Sequence, residues 1–92
     1  MSHRTIWKYD LVIAHTGVVL EVPFGARALS VGIEGPGLAV WFEVPETDAP
    51  RSPYSLFVAF TGKELPPVMF CRILGTIKHP DGRVVHVFDL MQ

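Results

Sequence analysis

A chain of 92 residues has room for one hydrophobic core of ordinary size, so residues 1–92 are expected to form a single domain. Hydrophobic residues make up 49%, charged residues 18%, and 8 Lys and Arg against 9 Asp and Glu leave a net charge of −1. That balance excludes a disordered chain, gives no broad basic footprint for gripping a nucleic-acid backbone, and, with a single cysteine (Cys71), allows no internal disulfide.

No apolar run reaches the roughly 18–20 residues that a membrane-spanning helix needs. Met1-Ser2-His3-Arg4-Thr5 leads straight into a patterned segment without the apolar core of a signal peptide, so a reducing cytoplasm is the expected compartment. Glycine and proline then punctuate the chain too often for long helices. Between them lie segments rich in Val, Ile, Leu, Phe, Trp and Tyr, of strand composition and strand length. Seven strands are predicted, at 4–13, 17–22, 27–34, 38–44, 54–61, 70–79 and 83–90.

In the first strand Trp7, Tyr9, Leu11 and Ile13 alternate with Ile6, Lys8, Asp10 and Val12. Glu34-Gly35-Pro36-Gly37 predicts a hairpin between strands three and four. Strand four splits into Leu38, Val40, Phe42 and Val44 on one face and Ala39, Trp41 and Glu43 on the other. The polar, proline-rich stretch Pro45 to Pro53 reads as an exposed connection. Strand five places Tyr54, Leu56, Val58 and Phe60 opposite Ser55, Phe57, Ala59 and Thr61. A single helical turn is conceivable at Thr61 to Leu65, where Pro66-Pro67 would stop it. In Lys78-His79-Pro80-Asp81-Gly82-Arg83, proline suits the second position of a type I turn and Gly82 the left-handed residue after it, so strands six and seven should pair antiparallel. A mirror-image turn on Asp81-Gly82 is the alternative. The last strand sets Val84, His86, Phe88 and Leu90 against Val85, Val87 and Asp89.

A single sheet with one wet face should alternate apolar and polar residues cleanly, yet the second face still carries Trp41, Phe57, Val85 and Val87. Two architectures fit: a small sandwich or partly open barrel with strands covered on both sides, or a one-sided core completed in an oligomer. With nearly half the residues apolar and no helix to cover the second face, the oligomer is favoured, a homodimer being the simplest closed form.

Catalytic patterns are weak. The nearest histidine pair, His79 and His86, stands seven apart on opposite strands of a hairpin, too far for co-ligation of a metal, and no metal is expected. His86, among Val84, Phe88 and Leu90, reads as a partly buried, hydrogen-bonded side chain or an interface residue. Cys71 reads as a small buried hydrophobe. The serines lie in no Gly-x-Ser-x-Gly elbow and the carboxylates are scattered, so no catalytic residue and no cofactor are expected. Gly32 to Gly37 precedes a strand rather than a helix and lacks the helix N-terminus on which phosphate loops depend. The most suggestive cluster is Trp7, Lys8 and Tyr9 with Trp41 and Arg72, since rings beside cationic groups serve base stacking and protein hot spots, and equally cores and dimer seams.

The ordered motifs Ile6-Trp7-Lys8-Tyr9-x-Leu11, Val22-Pro23-x-Gly25-Ala26-x-x-Leu29-Ser30-Val31, Leu38-x-Val40-Trp41-x-x-Val44, Phe60-Thr61-Gly62, Gly75-Thr76 and Val85-His86-Val87-Phe88-Asp89 together resemble a family of small proteins of unknown function found in bacteriophages and prophages. The resemblance implies no activity and places the chain in the cytoplasm of a bacterial host cell. It favours a non-catalytic binding protein, homo-oligomeric, that holds a host protein or a small nucleotide-like ligand and antagonises antiviral defence. Trp7, Lys8, Tyr9, Trp41, Arg72 and His86 are then the binding or interface residues. A structural or interaction protein of the phage particle or of phage metabolism is the alternative. A small enzyme ranks lower, as does a nucleic-acid binder using Arg4, Lys8, Arg72 and Lys78; no membrane partner is expected.

Overall fold

The computed structural model describes residues 4–67 and 72–90. Seven strands follow in order: β1 (Thr5–Leu11), β2 (Thr16–Pro23), β3 (Arg27–Glu34), β4 (Gly37–Val44), β5 (Arg51–Phe60), β6 (Arg72–Lys78) and β7 (Val84–Asp89). All pairings are antiparallel. They build a three-stranded sheet, β1-β4-β3, and a four-stranded sheet, β2-β5-β7-β6, which pack as a sandwich and do not close into a barrel. No helix forms among the described residues, so none is long and apolar enough to cross a membrane.

The sandwich resolves the apolar second face. Leu38, Val40, Phe42 and Val44 of β4 point inward against Leu56 and Val58 of β5 and Val85 and Val87 of β7, all 0–1% exposed. Val85 and Val87, grouped by sequence with Trp41 and Phe57, belong to the inner layer, whereas Trp41 and Phe57 point outward. A ring pair ties the layers together, Phe42 meeting Tyr54 of the other sheet edge-on at 4.9 Å, while Tyr9 packs on Phe42 within their own sheet at 5.3 Å.

Both hairpins form. Glu34 stands opposite Gly37 across Gly35-Pro36. At the other, His79 N–H donates to Arg83 O and Gly82 N–H to His79 O, with Gly82 at φ +96°, which is the three-residue loop rather than the mirror-image turn. Two expectations change. Strand five begins at Arg51, not Tyr54, and takes in Pro53. Leu90 N–H donates to Ser55 O, so odd-numbered residues of β5 face β7, and at Pro53 that side lies beyond the end of the β7 ladder. Among the described residues the missing N–H of Pro53 therefore costs no bond. The segment after β5 is a hydrogen-bonded turn rather than a helical one, Lys63 N–H donating to Phe60 O around Gly62 at φ +87°, outside the helical region. Cys71 and the start of the predicted sixth strand lie outside the described residues.

Candidate binding surface

The six residues singled out by sequence do not converge. Trp7 and Tyr9 point inward and pack, half-buried, against the core, with the Arg51 guanidinium over the Trp7 ring at 5.3 Å. Lys8 and Trp41 point outward from the three-stranded sheet. Arg72 lies between the sheets, and His86 sits on the outer face of the four-stranded sheet.

His86 is held from both ring nitrogens: Nε2 is 2.7 Å from Thr61 Oγ1 and Nδ1 is 3.0 Å from Thr76 Oγ1. It is the half-buried, hydrogen-bonded histidine of the sequence reading. It flanks a shallow depression of about 270 Å³ lined also by Phe60, Thr61, Lys63, Leu65 and Phe88. Sequence gave no sign of His15, which pins this end of the sandwich. Its Nδ1 accepts from Phe60 N–H at 3.0 Å, so Nε2 carries the proton and donates to Glu64 O at 2.9 Å, while its ring meets Phe57 edge-on.

Arg72 belongs to a seam between the sheets. Asp89, 3% exposed, accepts from Tyr54 Oη at 2.8 Å and from Arg72 Nε at 3.2 Å. Tyr54 Oη in turn accepts from Ala28 N–H at 3.2 Å, and Arg72 donates to Ala28 O. These bonds join β5, β6 and β7 to β3 where β3 bulges between Ala28 and Ser30. Burial, foremost, pushes the Tyr54 phenol above its ordinary pKa. Among the described residues no group of three His, Cys, Asp or Glu side chains could hold a metal ion.

The outer face of the three-stranded sheet is the best-formed surface. Register sets Lys8, Trp41 and Ser30 in one row across β1, β4 and β3, with Asp10, Ala39 and Gly32 in the next. Because Gly32 has no side chain, the Trp41 ring comes in over it: a Cβ built at Gly32 would stand 3.3 Å from the ring. Lys8 Nζ reaches Glu34 across the sheet at 2.9 Å, and Arg4 pairs with Glu43 at 2.8 Å. The Glu34 carboxylate holds the Lys8 ammonium above the ordinary lysine pKa. Ala39, beneath these groups, is 0% exposed. The ring is thus seated and ringed by paired charges, with Ile6, 62% exposed, beyond them. At the hairpin end, Lys8, Asp10, Glu34 and the Gly35-Pro36-Gly37 turn line a depression of about 460 Å³.

A family model described as a domain of unknown function (DUF7352) matches residues 2–92. No curated protein and no solved structure matches the chain. The chain belongs to the DUF7352 family.

Proposed function

We propose that this member of the family is a non-catalytic, homo-oligomeric binding protein that holds a host protein against the outer face of its three-stranded sheet, with Trp41 as anchor, and thereby antagonises antiviral defence. The observation that carries the reading is the seat of Trp41. A ring fixed on Gly32 loses little freedom on binding, and a tryptophan with its surroundings already ordered is the kind of residue that dominates protein interfaces. The face also favours a protein over a phosphate-bearing ligand. Its basic groups Lys8, Arg4 and Arg27 stand among Asp10, Glu34 and Glu43, with Lys8 and Arg4 already paired and Arg27 in register opposite Glu43, so an anion would meet carboxylates there, whereas a mixed-charge protein rim can exchange with these groups. The phage context and the defence role come from the family resemblance of the motifs; the face supplies the mode of binding.

Affinity capture from lysate of a bacterial host, followed by rebinding of the identified protein in purified form, tests this. Wild type should retain a partner that Trp41→Ala and Lys8→Glu release, while both variants stay folded. A partner held equally by wild type and Trp41→Ala would overturn the assignment of the face. A thermal shift with nucleotides or cyclic dinucleotides that Trp41→Ala abolishes would replace the protein partner by a nucleotide.

A further inference from the structure

We infer that β2 is a dimerisation edge: two copies of this chain pair β2 with β2 antiparallel about a two-fold axis at Val19, fusing two four-stranded sheets into one. The inference rests on the homo-oligomeric part of the proposed function and names its contact.

Among the described residues β2 pairs with β5 alone. The direction of its outward backbone groups follows from two hydrogen bonds; of these groups Gly17 C=O also accepts from Thr16 Oγ1 at 3.1 Å and keeps a second lone pair. Leu90 N–H donates to Ser55 O, so the odd-numbered residues of β5 face β7. Phe60 N–H donates to His15, so the even-numbered ones face β2. Since Val18 stands opposite Leu56 and Leu20 opposite Tyr54, those two bond to β5, and the N–H and C=O groups of Gly17, Val19 and Glu21 point out of the sheet.

The other edges are blunted. β3 and β6 each carry a bulge, between Ala28 and Ser30 and between Ile73 and Gly75, and they lie against each other, with Val31 Cγ2 3.0 Å from a Cβ built at Gly75. β1 sets Lys8 and Asp10 along its length. By contrast, β2 has an unbroken register over all eight residues, no basic side chain and no proline before Pro23. Its Val19 is 64% exposed. Such an edge is a template for another strand.

The strand that fits it is β2 itself. Centred on Val19, the pairing sets Gly17 opposite Glu21 of the partner subunit, and every outward N–H and C=O of the three residues finds a mate. It also sets Val18 against Leu20 of the partner subunit; both residues are half-buried on the inner side of their own sheet. A two-fold centred on Glu21 would instead bring two carboxylates face to face. The contact is isologous and closes at two copies.

Light scattering after size exclusion, from micromolar to submillimolar protein, reads the mass directly. Wild type should have twice the mass of the chain, and Val19→Lys, at an exposed position, should have the mass of one chain and an unchanged melting transition. Val19→Cys in a Cys71→Ser background should cross-link into a dimer on oxidation, and Cys71→Ser alone should not. A wild-type monomer throughout, or a dimer that Val19→Lys leaves intact, overturns the edge. Partner capture is read separately: a monomer that binds through Trp41 overturns the edge and leaves the binding face standing, and a Val19-dependent dimer that captures nothing does the reverse.

Discussion

Replacing Asp89 by alanine tests the seam that locks the two sheets together. The substitution strips the buried Tyr54 hydroxyl of its acceptor at 2.8 Å and Arg72 of its counter-charge at 3.2 Å. A buried polar group left without its partner costs about 1–3 kcal/mol. The Arg72 side chain is 41% exposed, so water screens its pairing, which adds at most about 1 kcal/mol. The expected loss is therefore about 1–4 kcal/mol, a fall in melting temperature of roughly 5–30 °C for a domain of this size. Urea unfolding of wild type, Asp89→Ala, Tyr54→Phe and the double variant reads it as a cycle. In the Tyr54→Phe background the hydroxyl is already gone, so Asp89→Ala should cost less there by about 1 kcal/mol. An Asp89→Ala protein within about 0.5 kcal/mol of wild type, or strictly additive losses, would refute the seam as a coupled network.

Tyr54 makes the fold sensitive to alkali: its folded pKa lies above the unfolded value of about 10, so the stabilisation is full below pH 10 and is lost as pH rises through the folded value, and Tyr54→Phe should remove that part of the alkaline decline. At the β6–β7 turn, the hydrogen bonds and charge of Arg83 hold the Asp81 carboxyl well below the ordinary aspartate range, and carbon-13 NMR should find it ionised where an unperturbed aspartate is already protonated. Gly75→Ala would push a methyl against Val31 at 3.0 Å and should cost about 1–3 kcal/mol in urea unfolding, with Val31→Ala recovering part of the loss. Gly32→Val should lift the Trp41 ring off the sheet, seen as red-shifted tryptophan emission from a folded protein with weakened partner capture.

Seven strands, their antiparallel order in the two hairpins and the turn at Gly82 were legible because each follows from a local signal: alternation, punctuation by glycine and proline, or a positive φ. Pro53 was not, because whether a proline fits a strand depends on which side its missing N–H would face, and that is set by where β7 stops. Asp89 and Arg72 carry no sequence signal as a pair. Their meeting requires the β6 bulge at Ile73 to Gly75, which shifts the hairpin register by one and brings Arg72 opposite Asp89.

The aromatic-cationic cluster shows where sequence proximity misleads. Trp7, Lys8 and Tyr9 are neighbours in the chain, but a strand turns successive side chains to opposite faces. Trp7 and Tyr9 therefore had to part from Lys8, and the rings went to the core while the ammonium went to the outer sheet beside Trp41. Alternation alone contained that division. It could not say that Gly32 would stand beside Trp41 as its seat, since the offset of β3 against β4 depends on the extra residue, Leu29, in the β3 bulge. Were Leu29 instead paired opposite Trp41 in a regular ladder, every later side chain would exchange faces: Val31 would leave the core and Gly32 would leave the outer surface. The bulge, by leaving Leu29 unpaired, thus secures both the inner packing of Val31 against Gly75 and the outer placement of Gly32 beside Trp41, which ties the binding face to the closure of the sandwich.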